Sequence, residues 1–394
     1  MSSPLPRRAH QALVRRLAEA RRRSPDGEVV TGHHNSNHIV SLGLPLAFLL
    51  GLGMDSGRVR AKFRTPFKTV EVVPRIWRRE SEVLRVVSER LGEVPRCLAD
   101  FGEWSLHAYV AGRALAEVIP EGPIGSRRLA ALAEFFARLA AVPVSGLPAR
   151  PSDWPVDEDS WGFLRWLARF TEQRVHQVNR PRFGGLFDAV GIPRDAVDRF
   201  MRSATELTPR PFALLHTDVH RANVLVTPGA EGERLAVIDW ELALYGDPLH
   251  DLATHLVRMD YDKTEQELMV RMWADAMRRA GHTEMTTDMD RDLPVYLGFE
   301  YVQSVFPDVI RAALALPDCP GEPEFARAAT WVCRSMRRAR EPLALVDEPL
   351  DERAAGEALR QWHSADRARR AERTEDAAEH ARTEGVERME WHGC

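Results

Sequence analysis

Apolar and polar positions follow two different periods along this chain, and the switches between them divide it. Residues 7–23, RRAHQALVRRLAEARRR, place Leu13, Val14 and Leu17 on one face of an amphipathic helix. From about 28 to 112 the pattern turns strand-rich. EVVTG, HIVSLG, PLAFLLG and RVRAKFR alternate with Gly and Asp-Ser-Gly turns, and SLHAYV reads as a further strand. One helix interrupts them over 78–91, with Val83, Leu84, Val87 and Leu91 at helical spacing. The longest apolar run, 44–54, has 11 residues and contains Pro and Gly. It is too short to span a bilayer and is expected as a strand pair in a core. From about 115 to 345 helices dominate, as in RRLAALAEFFARLAAV and WGFLRWLARFTEQRV. A β-rich insert breaks them: ALLHTDVHRANVLV, a PGAEGE turn, then RLAVIDW. Helices resume at Pro248.

Strands with one helix, followed by helices with one hairpin, predict an α+β chain of two lobes, a small β-rich one and a larger, mostly helical one. The expected boundaries are an N-terminal helix over 1–27, a lobe over 28–112, a second lobe over 113–348 and a charged tail over 349–394. Residues 351–394 hold 11 acidic residues and 8 arginines with few apolar positions. A solvated helix or disorder is expected there, not a core element.

Composition narrows the class. Of 394 residues, 44% are hydrophobic and 28% charged, ordinary for a soluble globular protein. A net charge of −4 gives no reason to expect nucleic acid as a partner. Basic amphipathic helices can lie on membranes, but 7–23 is better read as a cap on the first lobe, so no membrane partner is expected. The four cysteines, Cys97, Cys319, Cys333 and Cys394, have no CxxC spacing and no secreted framework, and no apolar leader follows the N-terminal arginines. Reduced thiols and a cytoplasmic location are expected. The sequence leaves the oligomeric state open. Only three lysines occur, Lys62, Lys68 and Lys263, in a chain that otherwise uses arginine.

The segment His216-Thr-Asp-Val-His-Arg-Ala-Asn223 carries the chemistry. Asp218 precedes Asn223 by five residues, and Asp239 follows sixteen later at the end of the apolar strand LAVI. Phosphoryl transfer needs such a trio. One carboxylate orients and accepts the proton of an attacking hydroxyl. Hard oxygen ligands hold Mg²⁺ against the phosphates. A loop between strands brings Asp218 and Asn223 to one end of a hairpin, and the hairpin returns Asp239 beside them. Apolar strands on both sides of the loop distinguish this from a chance H-x-D-x-x-x-x-N. Asp247 and Pro248 fit an N-cap followed by proline at the first helical position.

LLHTDVHRANVLV and VIDWELALYGDPLHDLATHL resemble the phosphotransfer loop and the metal-binding segment of the aminoglycoside phosphotransferase and choline kinase superfamily. The resemblance implies a protein-kinase-like fold, ATP and Mg²⁺ as cofactors, and a small-molecule hydroxyl as acceptor. By it, Asp218 is the catalytic base and Asn223 and Asp239 bind magnesium. His216 is a structural loop residue, and Asp251 braces the catalytic loop from the next helix. Thr217 stands where the family usually has Gly, and Arg221-Ala222 where it often has Pro-Gly. Ala140 stands where relatives commonly carry a histidine.

In the first lobe, Gly32-His-His-Asn35-Ser36-Asn37 resembles the family's phosphate-covering loop, so Asn35, Ser36 and Asn37 are candidate nucleotide contacts. No P-loop motif occurs. Lys62, within the alternating run RVRAKFR, is the candidate for the α- and β-phosphates, where a compact ammonium suits a point contact. Lys68, after Pro66, is the competitor. Glu80, in a stretch resembling the family's R-E-x-x-V-L pattern, is the expected partner of Lys62. Adenine is expected near 107–112.

The function expected is ATP- and Mg²⁺-dependent O-phosphorylation of a small molecule, with an antibiotic or other natural product of aminoglycoside type favoured. A kinase of an amino alcohol or sugar, or a non-catalytic nucleotide-binding pseudokinase, are the alternatives. A eukaryotic-type protein kinase is disfavoured, because G-x-G-x-x-G, His-Arg-Asp, Asp-Phe-Gly and Ala-Pro-Glu are all missing.

Overall fold

The computed structural model describes residues 7–31, 35–52, 60–66, 73–229, 232–346, 348 and 350–390. Two compact units divide the chain: Met1–Leu164 with Glu206–Tyr296, and Arg165–Thr205 with Leu297–Cys394.

In the first unit, five antiparallel strands lie in the order β1-β2-β3-β5-β4: β1 (Glu28–Thr31), β2 (Asn35–Ser41), β3 (Arg60–Pro66), β4 (Cys97–Asp100) and β5 (Ser105–Ala108). Directly opposed residues share a face. Phe63 lies across from His38 and Leu106, while Lys62 lies across from Ile39 and His107, and Arg64 across from Asn37 and Ser105. The Phe63 face, with Val40 and Leu106, is covered by Val14 and Ala18 of helix α1 (Arg7–Arg22), by Leu46 and Ala47 of α2 (Leu44–Leu49), and by Trp104. The opposite face carries Asn37, Lys62, Arg64 and His107. Period-two alternation along β3 thus separates a dry core from a charged face.

Two expectations about this region are corrected. Within 7–23 Val14 and Ala18 are buried and Leu17 packs, partly buried, against the same core, while Leu13 is exposed. The start of the 44–54 run is the helix α2, not a strand. Gly43 enters it at φ +75, Pro45 sits in the first turn, and LPLAFL has no β-branched residue to favour a strand. Residues 53 and 54 lie outside the described residues.

Helix α3 (Glu80–Val87) follows β3 in the chain and buries Val83, Leu84 and Val87. Beyond β5 the unit continues through α4 (Leu115–Val118) and α5 (Ser126–Ala140). A three-stranded sheet joins β6 (Arg113–Ala114), β8 (Val224–Gly229) and β9 (Gly232–Val237), and β7 (Ala213–Leu215) pairs with β10 (Leu244–Gly246). Helix α9 (Pro248–Met259) starts as the sequence predicts, with the Asp247 carboxylate accepting the Leu249 N–H at 3.0 Å and Pro248 first. Asp247 is fully buried. It also takes Arg210 Nη1 at 3.0 Å and the Tyr296 hydroxyl at 3.1 Å, so the start of α9 is fixed from three directions. Buried Glu265 of α10 (Lys263–Arg279) accepts the Ile124 and Gly125 N–H groups and closes the start of α5.

The second unit is helical. Helix α6 (Ser160–Phe170) and α11 (Met289–Leu314) contain the unit boundaries, and the unit itself holds a π-helical turn (Thr171–His176), α7 (Gln177–Ala189), α8 (Ala196–Ser203), α12 (Glu322–Ala339) and α13 (Glu352–Glu390). The start of α13 is a core element, contrary to the solvated tail expected. Ala355 and Leu359 are fully buried, Trp362 stacks on Phe183 at 5.2 Å, and Asp366 takes two bonds from Arg182, each at 2.9 Å. Those four positions follow a four–three–four helical spacing that the charged composition of the segment conceals. No helix among the described residues is long and apolar enough to cross a membrane.

Candidate active site

The loop from β7 to β8 is held from one face of α9. Asp251, His255 and Arg258 stand four and three residues apart, hence on one side of the helix. Asp251 Oδ2 accepts the His216 N–H at 2.8 Å and Oδ1 the Thr217 N–H at 2.7 Å. His255 Nδ1 donates to the Val219 carbonyl at 2.8 Å, its Nε2 facing the Tyr261 hydroxyl at 3.1 Å. Arg258 Nη1 pairs with Asp218 Oδ1. Thr217 carries a left-handed backbone, φ +59, which a β-branched residue adopts only under constraint. The Asp251 bond and a 2.7 Å bond from Thr217 Oγ1 to the Leu242 carbonyl supply that constraint, so threonine serves where glycine is usual. Arg221 donates to the carbonyls of Met259, Ile119 and Gly122, at 3.2, 2.9 and 2.6 Å. It ties the loop to the ends of α9 and α4.

His216 is fully buried. Its Nδ1 accepts the Asp218 N–H at 3.2 Å, which leaves Nε2–H to donate to the Ile238 carbonyl at 3.2 Å. Burial pushes the imidazole down to about 4, so it is neutral. Asn223 Nδ2 donates to Asp218 Oδ2 at 2.9 Å and to the Asp218 carbonyl at 3.0 Å. Burial raises the Asp218 carboxyl, but the Arg258 guanidinium, with His220, outweighs it and holds the acid well below the usual carboxylate range.

Asp239 follows β9 with φ +70, a second non-glycine residue in the left-handed region. Its Oδ1 takes Arg64 Nη2 at 2.7 Å. Burial raises it, but Arg64 and Lys62 outweigh that and lower it, while the charge of Asp218 is felt in the raising direction. The trio expected from the sequence therefore gathers at one end of the β8–β9 hairpin. Glu80, buried at the start of α3, accepts the Trp240 N–H on Oε1 at 2.9 Å. Its Oε2 is paired with Arg64 Nε at 2.8 Å, not with Lys62 as expected. Arg64 Nη2 also meets Glu241 Oε2 at 2.8 Å, and Arg75 Nη2 reaches Glu241 Oε1 at 3.3 Å. Burial and the Asp239 charge push Glu241 up.

Lys62 is on the same face of β3 as Arg64, half-buried, and makes no ion pair among the described residues. Burial, then the Arg64 charge, lower its ammonium, opposed by Glu80, Asp239 and Glu241. Asn35, Ser36 and Asn37 are the first residues of β2. Asn37 is buried and its Oδ1 makes no hydrogen bond among the described residues. Gly32, His33, His34 and Lys68 lie outside the described residues.

Sequence reasoning missed Arg64, Glu241, Arg221, His255 and Arg258. Two signals could have found Arg64, His255 and Arg258: Arg64 is two residues from Lys62 on one strand face, and His255 and Arg258 lie four and seven residues after Asp251.

Among the described residues no three His, Cys, Asp or Glu side chains cluster to form a metal cage. Mg²⁺ does not need one, because it keeps several waters and takes one or two protein oxygens besides phosphate. Asn223 and Asp239 offer hard oxygens only. The Asn223 amide nitrogen is committed to Asp218, which leaves its Oδ1 as the outward donor. The residues present fit that ion.

Four buried histidines give a stability prediction. Burial lowers His107, His216 and His255 to about 4 and His250 to about 3. A folded value below the unfolded 6.5 means stability is full above pH 6.5 and is lost as pH falls from there towards 4. At pH 5.5 the expected loss is on the order of 1 kcal/mol per histidine. The urea midpoint at pH 5.5 should lie clearly below that at pH 7.5, and an unchanged midpoint would refute neutral burial of these rings.

Residues 55–287 match the model of the phosphotransferase enzyme family, and the chain belongs to that family. It is a phosphotransferase acting on hydroxyl groups of small molecules, with ATP the donor that the family implies. No curated protein matches the chain in a sequence search. A solved structure from Ralstonia eutropha JMP134, assigned as an aminoglycoside phosphotransferase, superposes with a TM-score of 0.51 at 13% identity, covering 89% of this chain and 98% of that one. An ethanolamine kinase of Plasmodium vivax gives 0.49 at 14%, covering 80% and 81%. A macrolide 2′-phosphotransferase of Brachybacterium faecium gives 0.42 at 16%, covering 82% and 98%. At 13% identity the likeness to the Ralstonia structure is one of fold alone, α+β and protein-kinase-like, as the sequence predicts.

Proposed function

We propose that the chain transfers the γ-phosphate of ATP, with Mg²⁺, to a hydroxyl of an antibiotic or other natural product, aminoglycoside-like acceptors being favoured. The reading rests on one observation: Asp218, held through both carboxylate oxygens by Asn223 and Arg258, lies at the same hairpin end as Asp239.

A carboxylate has about four lone-pair sites; Asn223 and Arg258 take one each and His220 Nε2 lies 3.5 Å from Oδ1, which still leaves capacity on Asp218 for an acceptor hydroxyl. Because Asp218 stays ionised, its main work is to orient that hydroxyl, and it takes the proton late, when transfer has acidified the oxygen. Bound at Asn223 and Asp239, Mg²⁺ would neutralise charge on the phosphates. Lys62 faces the same charged end from β3. Asp251 and His216 fix the loop so that the base needs no reorganisation.

The test is ADP release across hydroxylated antibiotics, choline-like amino alcohols and sugars. Mg²⁺-dependent release with a hydroxylated antibiotic supports the proposal. Release only with amino alcohols or sugars moves the assignment to the metabolite alternative. ATP binding with no release on any acceptor favours the non-catalytic one. Action inside the cytoplasm, with drug resistance as its outcome, is part of the proposal, and it predicts a raised inhibitory concentration of the active antibiotic when the chain is expressed in a sensitive bacterium.

A further inference from the structure

Resting on the phosphotransferase reading above, we propose that two tasks a kinase gives to one strand lysine are split here between two residues. Arg64 is a positioning residue that holds Glu80, Asp239 and Glu241, and Lys62 is the cation left to meet the phosphates of the nucleotide.

The geometry assigns the first task. Arg64 Nε is 2.8 Å from Glu80, and Nη2 is 2.7 Å from Asp239 and 2.8 Å from Glu241. Three carboxylates from helix α3 and the segment after β9 thus meet one guanidinium. A fork with separated donors can span them, whereas an ammonium is a single point. The side chain is only 5% exposed, and its Nη1 is buried without a hydrogen bond among the described residues. Arg64 is spent on the protein. Were it absent, three carboxylates would repel one another in a buried place, and the cheapest relief would be to turn Asp239 or Glu241 outward.

The second task follows by position. Lys62 stands two residues away on the same strand face, half-buried, with no ion pair among the described residues. The same carboxylates lie near enough to act on its charge. An ammonium held beside these carboxylates, with no ion pair among the described residues, is suited to an incoming anion.

Lys62→Met and Arg64→Lys separate the tasks, with Arg64→Met as a harsher third variant. Each full-length protein would be assayed for ATP binding by calorimetry with and without Mg²⁺, for the Mg²⁺ concentration giving half-maximal ADP release, and for kcat and KM. Lys62→Met should weaken ATP at least ~10-fold both with and without metal, and leave the Mg²⁺ requirement unshifted. Arg64→Lys keeps the charge but loses the fork. It should keep metal-free ATP binding within a few-fold while raising the Mg²⁺ requirement ~10–100-fold and lowering kcat, as displaced supports of metal ligands do. Unaltered ATP affinity in Lys62→Met, or an unaltered Mg²⁺ requirement in Arg64→Lys, overturns the split. Failure of the phosphotransferase reading itself would show in the unmodified protein, which would then bind no ATP or would bind it without releasing ADP on any acceptor.

Discussion

Asp218→Asn is expected to reduce turnover by about 10²–10⁴-fold while ATP binding stays within a few-fold of the unmodified protein. The substitution preserves size and one carbonyl oxygen but removes the negative charge and half the acceptor capacity. Asn223 Nδ2 and Arg258 Nη1 now donate to a carboxylate, one on each oxygen. After substitution one of them faces an NH₂ group, so the side chain must turn or a donor must leave. The acceptor hydroxyl then loses both its orienting partner and the group that takes its proton. Nucleotide binding is proposed to rest on other residues, Lys62 foremost, which is why kcat and ATP affinity should separate. A companion measurement sharpens the case. Because Arg258 holds Asp218 ionised, activity should show no acidic limb from this residue in the ordinary carboxylate range, and Arg258→Met should create one by letting the acid titrate nearer its usual value. Full turnover in Asp218→Asn would remove this residue from the chemistry altogether.

What could be read in the sequence was what is local along the chain. Asp218 and Asn223 are five residues apart in a loop that two apolar strands announce, and Asp239 returns on the next strand, so topology alone brings the three together. The choice of Glu80's partner was not local. Strand alternation puts Lys62 and Arg64 on one face, and only the placement of α3 and of the Trp240 N–H decides which cation Glu80 meets. Scarcity of lysine drew attention to Lys62, but rarity says nothing about reach. Arg258 was hidden for a related reason: its helix looks like ordinary amphipathic packing until the spacing from Asp251 is counted. Helix α2 was mistaken because an apolar run has no period of its own, and Pro45 after Gly43 was the better guide. The stripe that seats α13 is four residues inside a charged helix, too few to change its composition.

Asp251→Ala is the substitution expected to cost most in stability, about 3–5 kcal/mol. Two backbone N–H groups, of His216 and Thr217, end on this one carboxylate in a place that water does not reach. Each orphaned donor costs about 1–3 kcal/mol. The loss also frees Thr217 from its left-handed backbone, where a non-glycine residue is held at a cost of about 1–3 kcal/mol only while its surroundings enforce it. Asparagine is no remedy, since it keeps one acceptor and turns an NH₂ donor towards the other N–H. Against a total stability of about 5–15 kcal/mol, such a loss is a large fraction of the whole. The urea midpoint should fall with an unchanged slope if the protein unfolds as one body. A fall in turnover that exceeds the fall in stability would show the loop loosening first, with the Thr217 hydroxyl and the His216 ring too weak to hold it alone. A variant losing under about 1 kcal/mol with its turnover intact would show the opposite: that those two bonds suffice, and that α9 supports the base chiefly through His255 and Arg258.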